Sequence, residues 1–215
     1  MNIRLYLLLA SIFSALSLSA QTEDQLKSLF KAFSESHVTI EAVYEVESAK
    51  SEGSSSLPVV VMGETRISMQ GDMYSMDGNG FSILCDGKAA CITDTASKEV
   101  IYEPVAESVR GENMMGPSLL FGNLGENFNV KSTAIESGQA VYELSADPSS
   151  GMEGCRICVD PESGALKSAR FDMSDGHKVK VTVTVFNVSA LRPDSEYELP
   201  SVSSFGVDWV VTDLR

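Results

Sequence analysis

Apolar residues recur at every second position through most of this chain, and that period fixes the class of fold open to it. Val179, Val181, Val183 and Val185 alternate with Lys178, Lys180, Thr182 and Thr184, and Ile40, Ala42, Tyr44 and Val46 alternate with Glu41, Val43, Glu45 and Glu47. Successive side chains of a strand point to opposite faces, so this pattern predicts strands with one buried face. Further strands are expected around Val59–Met69, Met73–Met76, Phe81–Leu84, Ala89–Thr93, Glu99–Tyr102, Phe128–Thr133, Ala140–Ser145, Cys155–Asp160 and Leu166–Met173. Turn-forming residues separate them at 70–72, 77–80, 136–138, 160–164 and 174–176. Asp86-Gly87 predicts a type I′ hairpin turn, with both central residues at positive φ. Connections of hairpin length make the sheet antiparallel and meandering. About eleven strands would curl into a barrel-like shape or a sandwich.

Thr22 to Ser36 is the exception to this period. Leu26, Leu29, Phe30 and Phe33 fall at helical spacing, and Thr22 with Gln25 forms a capping box. The stripe must rest on an apolar surface, here the sheet. Residues 1–20 read as an export signal: Arg4, then an apolar run from Leu5 to Leu16, then Leu18-Ser19-Ala20 as the cleavage site. Residues 21–215 then form one domain, with Lys50 to Ser56 as a Ser-rich hairpin loop. Cleavage removes one basic residue and leaves 15 basic against the 30 acidic side chains. A surface of that sign repels phosphate backbones and anionic bilayers, so a nucleic-acid partner is disfavoured.

Enzymatic chemistry finds little support. His37 and His177 are the two histidines, and both fall at element ends, where a solvated side chain is the ordinary state. Asp86, Asp94, Asp160 and Asp175 are turn residues. No nucleophile elbow, phosphate loop or metal signature is present, so no catalytic residue, metal or cofactor is assigned. The four cysteines leave several readings open. Cys155 and Cys158 have redox or zinc spacing, but on a strand that spacing sends them to opposite faces. Three disulfide connectivities are conceivable, with Cys85–Cys91 the first to try; a four-thiolate zinc site and buried free thiols are the alternatives.

Met114 to Leu124 is apolar yet broken by Gly116, Pro117 and Gly122, which predicts a short mobile helical lid. At this point a family resemblance emerges. The signal, the amphipathic helix, Gly63-x-x-x-Ile67, Ser82-Ile83-Leu84-x-Asp86-Gly87-Lys88, Glu99-Val100-Ile101, Pro117-Ser118-Leu119-Leu120, Phe186-Asn187-Val188 and Thr212-Asp213-Leu214-Arg215 occur in an order that resembles the LolA-like outer-membrane lipoprotein carriers. The resemblance covers nearly all of residues 21–215. It implies a mainly β (α+β) fold: an incomplete antiparallel β-barrel with an N-terminal helix and a helical lid. It also implies a soluble, monomeric periplasmic carrier that shields the acyl chains of lipoproteins or related lipids. Its partners would be an inner-membrane transporter and an outer-membrane acceptor.

The expected cavity lining is Ile40, Ala42, Tyr44, Val46, Ile67 and Met69, with Leu119, Leu120 and Phe121 as the cover. Met62, Met69, Met73, Met76, Met114 and Met115 suit an adaptable cavity, because Met repacks around variable shapes. One departure stands out: the family holds its lid with an Arg-Pro pair on an early strand, and the matching place here reads Met69-Gln70. Arg66 lies an odd number of residues away and would face the other side of the sheet. The contrasting expectation is a secreted structural or adhesive β-protein without a lipid ligand.

Overall fold

A computed structural model describes residues 24–47, 59–78, 80–105, 128–146 and 152–215. The signal segment, Thr22, the Lys50–Ser56 loop, Met114, Met115 and the expected lid with Leu119, Leu120 and Phe121 lie outside the described residues.

Helix α1 (24–35) leads directly into twelve strands. These are β1 (His37–Glu47), β2 (Val59–Gln70), β3 (Met73–Gly78), β4 (Phe81–Asp86), β5 (Ala89–Asp94), β6 (Glu99–Pro104), β7 (Phe128–Glu136), β8 (Gln139–Ala146), β9 (Met152–Val159), β10 (Leu166–Met173), β11 (Lys178–Ser189) and β12 (Val210–Asp213). They form one open sheet in the order β12-β6-β5-β4-β3-β2-β1-β11-β10-β9-β8-β7. Two meanders, β1–β6 and β7–β11, are thus joined where β1 pairs with β11, and the result is an incomplete barrel. The count exceeds the expected eleven because β12 pairs with β6, and it does so in parallel. A four-residue strand with an unrelated, distant partner leaves little periodic trace.

Bulges interrupt the simple alternation at several places, two of them beside β1. In β11, Glu41 faces Val185 while Ala42 faces Val183, so Thr184 is the extra residue. Such an insertion reverses the facing of everything beyond it. Val179, Val181 and Val183 therefore turn inward, but next it is Phe186, and not Val185, that packs on the core. Phe186 meets Phe33 of α1 edge to face, with ring centroids 6.0 Å apart. A second bulge separates Tyr44 from Glu45 opposite β2.

Turn chemistry corrects a second expectation. Among the described residues Gly87 is at positive φ but Asp86 is not. Instead the Asp86 carboxylate accepts hydrogen bonds from the Lys88 and Ala89 N–H groups. Among the described residues, a two-residue turn with both residues at positive φ is Ser137-Gly138, between Glu136 and Gln139.

After β11 the chain crosses the outer face of the sheet and returns to its far edge. Gln70 clasps this strap: its amide oxygen accepts from the Arg192 N–H at 2.7 Å, and its Nε2 donates to the Arg192 carbonyl at 3.1 Å. Beneath the strap lies His37, 1% exposed, which corrects the expectation of a solvated side chain. Its Nε2 is 2.7 Å from Ser68 Oγ and its Nδ1 is 3.1 Å from Ser189 Oγ; Ser68 Oγ in turn lies 3.4 Å from the Tyr197 hydroxyl. Farther on, Leu199, Phe205, Trp209 and Val211 cover Cys91, Val100 and Tyr102 in a second, smaller core. Tyr102 donates to the Pro200 carbonyl at 2.7 Å, and the Arg215 guanidinium sits 4.1 Å from its ring centroid.

All four cysteines are free thiols. Cys85 faces Ala90 across the hairpin while Cys91 faces Leu84, so one residue of offset places the two sulfurs on opposite faces. Cys85 joins the main core and Cys91 the second one, which rules out the pairing tried first. Denatured without reductant, the protein should present four thiols to an alkylating reagent, as its free cysteines require. A yield of two would overturn this assignment.

His37 makes stability depend on pH. Burial lowers its pKa below 6.5, and Arg192 lowers it further against an opposing pull from Glu196. The unfolded chain therefore takes up the proton first as pH falls, and the folded state loses stability on that side. Between about pH 7.5 and 5.5 the melting temperature should drop more for the wild type than for His37→Gln. Equal slopes for the two proteins would exclude His37 as the cause.

Candidate functional site

Among the described residues the inner face of the sheet gathers the larger of two apolar clusters, and its composition follows from strand register. Phe186, Ile40, Ile67, Met76 and Ile83 stand opposite one another in a row across β11, β1, β2, β3 and β4. A second row runs the other way through Tyr44, Val181, Ala169, Ile157 and Tyr142. Both rows belong to one continuous cluster, with Leu26, Leu29 and Phe33 of α1 against it.

Of the expected lining residues, Ile40, Ala42, Tyr44, Ile67 and Met69 are all fully buried members of this cluster. Val46 occupies the same face but is only half-buried. Met76 points inward with Met69, whereas Met73 precedes the buried Tyr74 and takes the opposite facing. Met152 and Met173 also join the cluster, and the sequence reading missed them. Met173 was accessible to it, because it continues the inward alternation of Ala169 and Phe171.

This face carries almost no charge or polarity. Among the described residues the buried polar side chains are His37, Thr65 and Gln70, and two of these lie under the strap. Thr65 alone faces inward, beside Ala42 and between Gly63 and Ile67. Arg66 lies on the outer face, where it pairs with Glu41 at 3.9 Å, as its odd offset from Ile67 and Met69 demands.

The ends of α1 fix which part of the inner face it covers. Gln25 Nε2 donates to the Pro161 carbonyl in the β9–β10 turn, and Phe33 rests on Phe186. Both anchors lie toward the His37 end of β1, since Phe186 is opposite Ile40. Tyr44 and Val46 lie toward the other end, opposite Val181 and Val179.

The outer face offers a different kind of recess. A cavity of about 440 Å³ beside the β11 bulge is lined by Glu41, Glu64, Arg66, Asp77 and Thr184 among others. Three carboxylates and a guanidinium make it unsuitable for hydrocarbon. The turn aspartates cap their own backbones: Asp94 accepts from Ala96 and Ser97, and Asp160 from Glu162 and Ser163. These N–H groups hold both carboxyls below the usual range. Asp175 is likewise lowered, first by the His177 N–H. Among the described residues no group of three or more His, Cys, Asp or Glu side chains is placed to hold a metal ion, and no helix is long and apolar enough to cross a membrane.

No protein-family model matches the chain, and no curated protein matches it. Solved structures do superpose on most of it. A putative outer membrane lipoprotein-sorting protein domain from Vibrio parahaemolyticus matches at 11% identity over 81% of this chain and 94% of its own, with a TM-score of 0.43. A LolA superfamily protein from Nitrosomonas europaea matches at 10% identity over 83% and 97%, with a TM-score of 0.41. A DUF1329 family protein from Desulfovibrio piger matches at 12% identity over 88% and 99%, with a TM-score of 0.46. At these identities and scores the functional reading has to come from the residues of the inner face.

Proposed function

We propose that this protein is a periplasmic carrier that holds the acyl chains of lipoproteins, or of related lipids, against the inner face of its open sheet during passage to the outer membrane. The observation that carries the reading is an uncharged inner face in a sheet that does not close, with α1 anchored toward one end of it. Exposing hydrocarbon to water costs about 0.8 kcal/mol per CH₂, so long acyl chains need such a surface to cross an aqueous space. A soluble protein that needed only a structural core could close its sheet or fill it from both sides. The acidic surface suits a carrier that must stay off anionic bilayers. The family resemblance in the sequence points the same way. The reading takes the chain to be exported by its first twenty residues and to act without catalysis, with Ile40, Ala42, Tyr44, Val46, Ile67, Met69, Leu119, Leu120 and Phe121 as the acyl-binding set.

A fluorescent fatty-acid probe should bind the folded protein, and a triacylated lipopeptide should displace it. Val46 is the lining residue best suited to substitution, because it is only half-buried. Val46→Glu should weaken probe binding about tenfold, roughly the value of one buried Val side chain, and leave the protein folded. A well-folded wild type that binds no acyl probe would favour the ligand-free structural reading instead.

A further inference from the structure

We propose that Tyr44 donates a hydrogen bond to the carbonyl oxygen of the ester or amide that joins an acyl chain to its cargo, which selects acyl groups over plain hydrocarbon. This deepens the carrier reading and rests on it.

The Tyr44 side chain is 1% exposed, and its hydroxyl has no hydrogen-bond partner. A buried hydroxyl without a partner is disfavoured and rare in folded proteins, so its presence calls for a cause. Other buried phenols show the usual solution: Tyr102 donates to the Pro200 carbonyl and Tyr197 meets Ser68. Tyr44 lacks one because of where register puts it. Across the strands its partners are Gly63 and Val181, and along β1 its inward neighbours are Ala42 and Val46. None of the four has a polar side chain. The inward hydroxyl of Thr65, on the facing strand β2, is turned to the Gly63 carbonyl.

An acceptor brought by something bound to this face would supply the missing partner. Burial pushes the phenol pKa upward, so the group keeps its proton and remains a donor throughout the physiological range. A long-chain acyl group supplies one strong acceptor, its carbonyl, at the polar end of an apolar chain. Tyr44 lies four residues along β1 from Ile40, away from the Phe186 anchor of α1. The carbonyl would thus sit beyond the helix-covered end, with the hydrocarbon running along the rows of Val, Ile and Met toward α1.

The test compares a long-chain fatty-acid methyl ester with an alkane of equal heavy-atom count, each displacing the same bound fluorescent probe. Wild type should bind the ester about five- to tenfold more tightly than the alkane, the value of one hydrogen bond, and Tyr44→Phe should abolish that preference while keeping alkane affinity. An undiminished preference in Tyr44→Phe overturns the role of Tyr44 and leaves the carrier reading standing. Failure of both ligands to bind wild type overturns the carrier reading itself, and this inference with it. Thermal unfolding of the ligand-free proteins gives an independent check. Tyr44→Phe should melt no lower than wild type, since no hydrogen bond is lost; a clear drop would mean that the hydroxyl already has a partner within the chain.

Discussion

The pairing of β1 with β11 joins two meanders that the chain makes at opposite ends of its length, and two long apolar rows of the inner face pass through it. Ile40 opposite Phe186 extends one row as far as Ile83, and Tyr44 opposite Val181 extends another as far as Tyr142. A slip of one residue in this pairing would send one whole set of inward side chains to solvent. The β11 bulge works within that constraint. It absorbs Thr184 and delivers Phe186 to Phe33, so the helix is seated by the same register that aligns the strands.

Polarity is sorted by face with few exceptions. Charges such as Arg66 and Glu41 meet on the outer side, and the hydrogen-bonded set of His37, Ser68 and Gln70 is sealed there by the strap. Keeping these groups off the inner face leaves it, among the described residues, almost wholly apolar. The β11 bulge and the strap serve the same end, because each places a polar or irregular part of the chain where it does not interrupt the inner rows.

Most strands could be read from the sequence, since alternation and turn residues are local signals. Gly71, Gly138, Gly164 and Gly176 each mark a turn between strands that the structure bears out. The inward set Ile40, Ala42, Tyr44, Ile67 and Met69 was legible for the same reason. What escaped depends on partners remote in the chain. His37 is buried by residues near 192–197, the facing of Val185 depends on a bulge that no residue type announces, and β12 exists only because β6 offers it an edge. The Cys85–Cys91 pairing failed because closeness in a hairpin does not establish a shared face.

The place of β11 in the sheet has a consequence for how the molecule is made. A ribosome or an export channel delivers β1 early, yet the β1 edge that β11 will occupy stays open until residue 189 is available. Closing so long a loop carries an entropic cost before any contact repays it, and folds dominated by distant contacts form slowly. The first meander must wait, with its apolar face bare and one strand edge unpaired. During that interval it is most exposed to self-association. The pairing that aligns the inner rows of the finished protein thus makes the nascent one depend on late synthesis, or on helpers, to reach its native state.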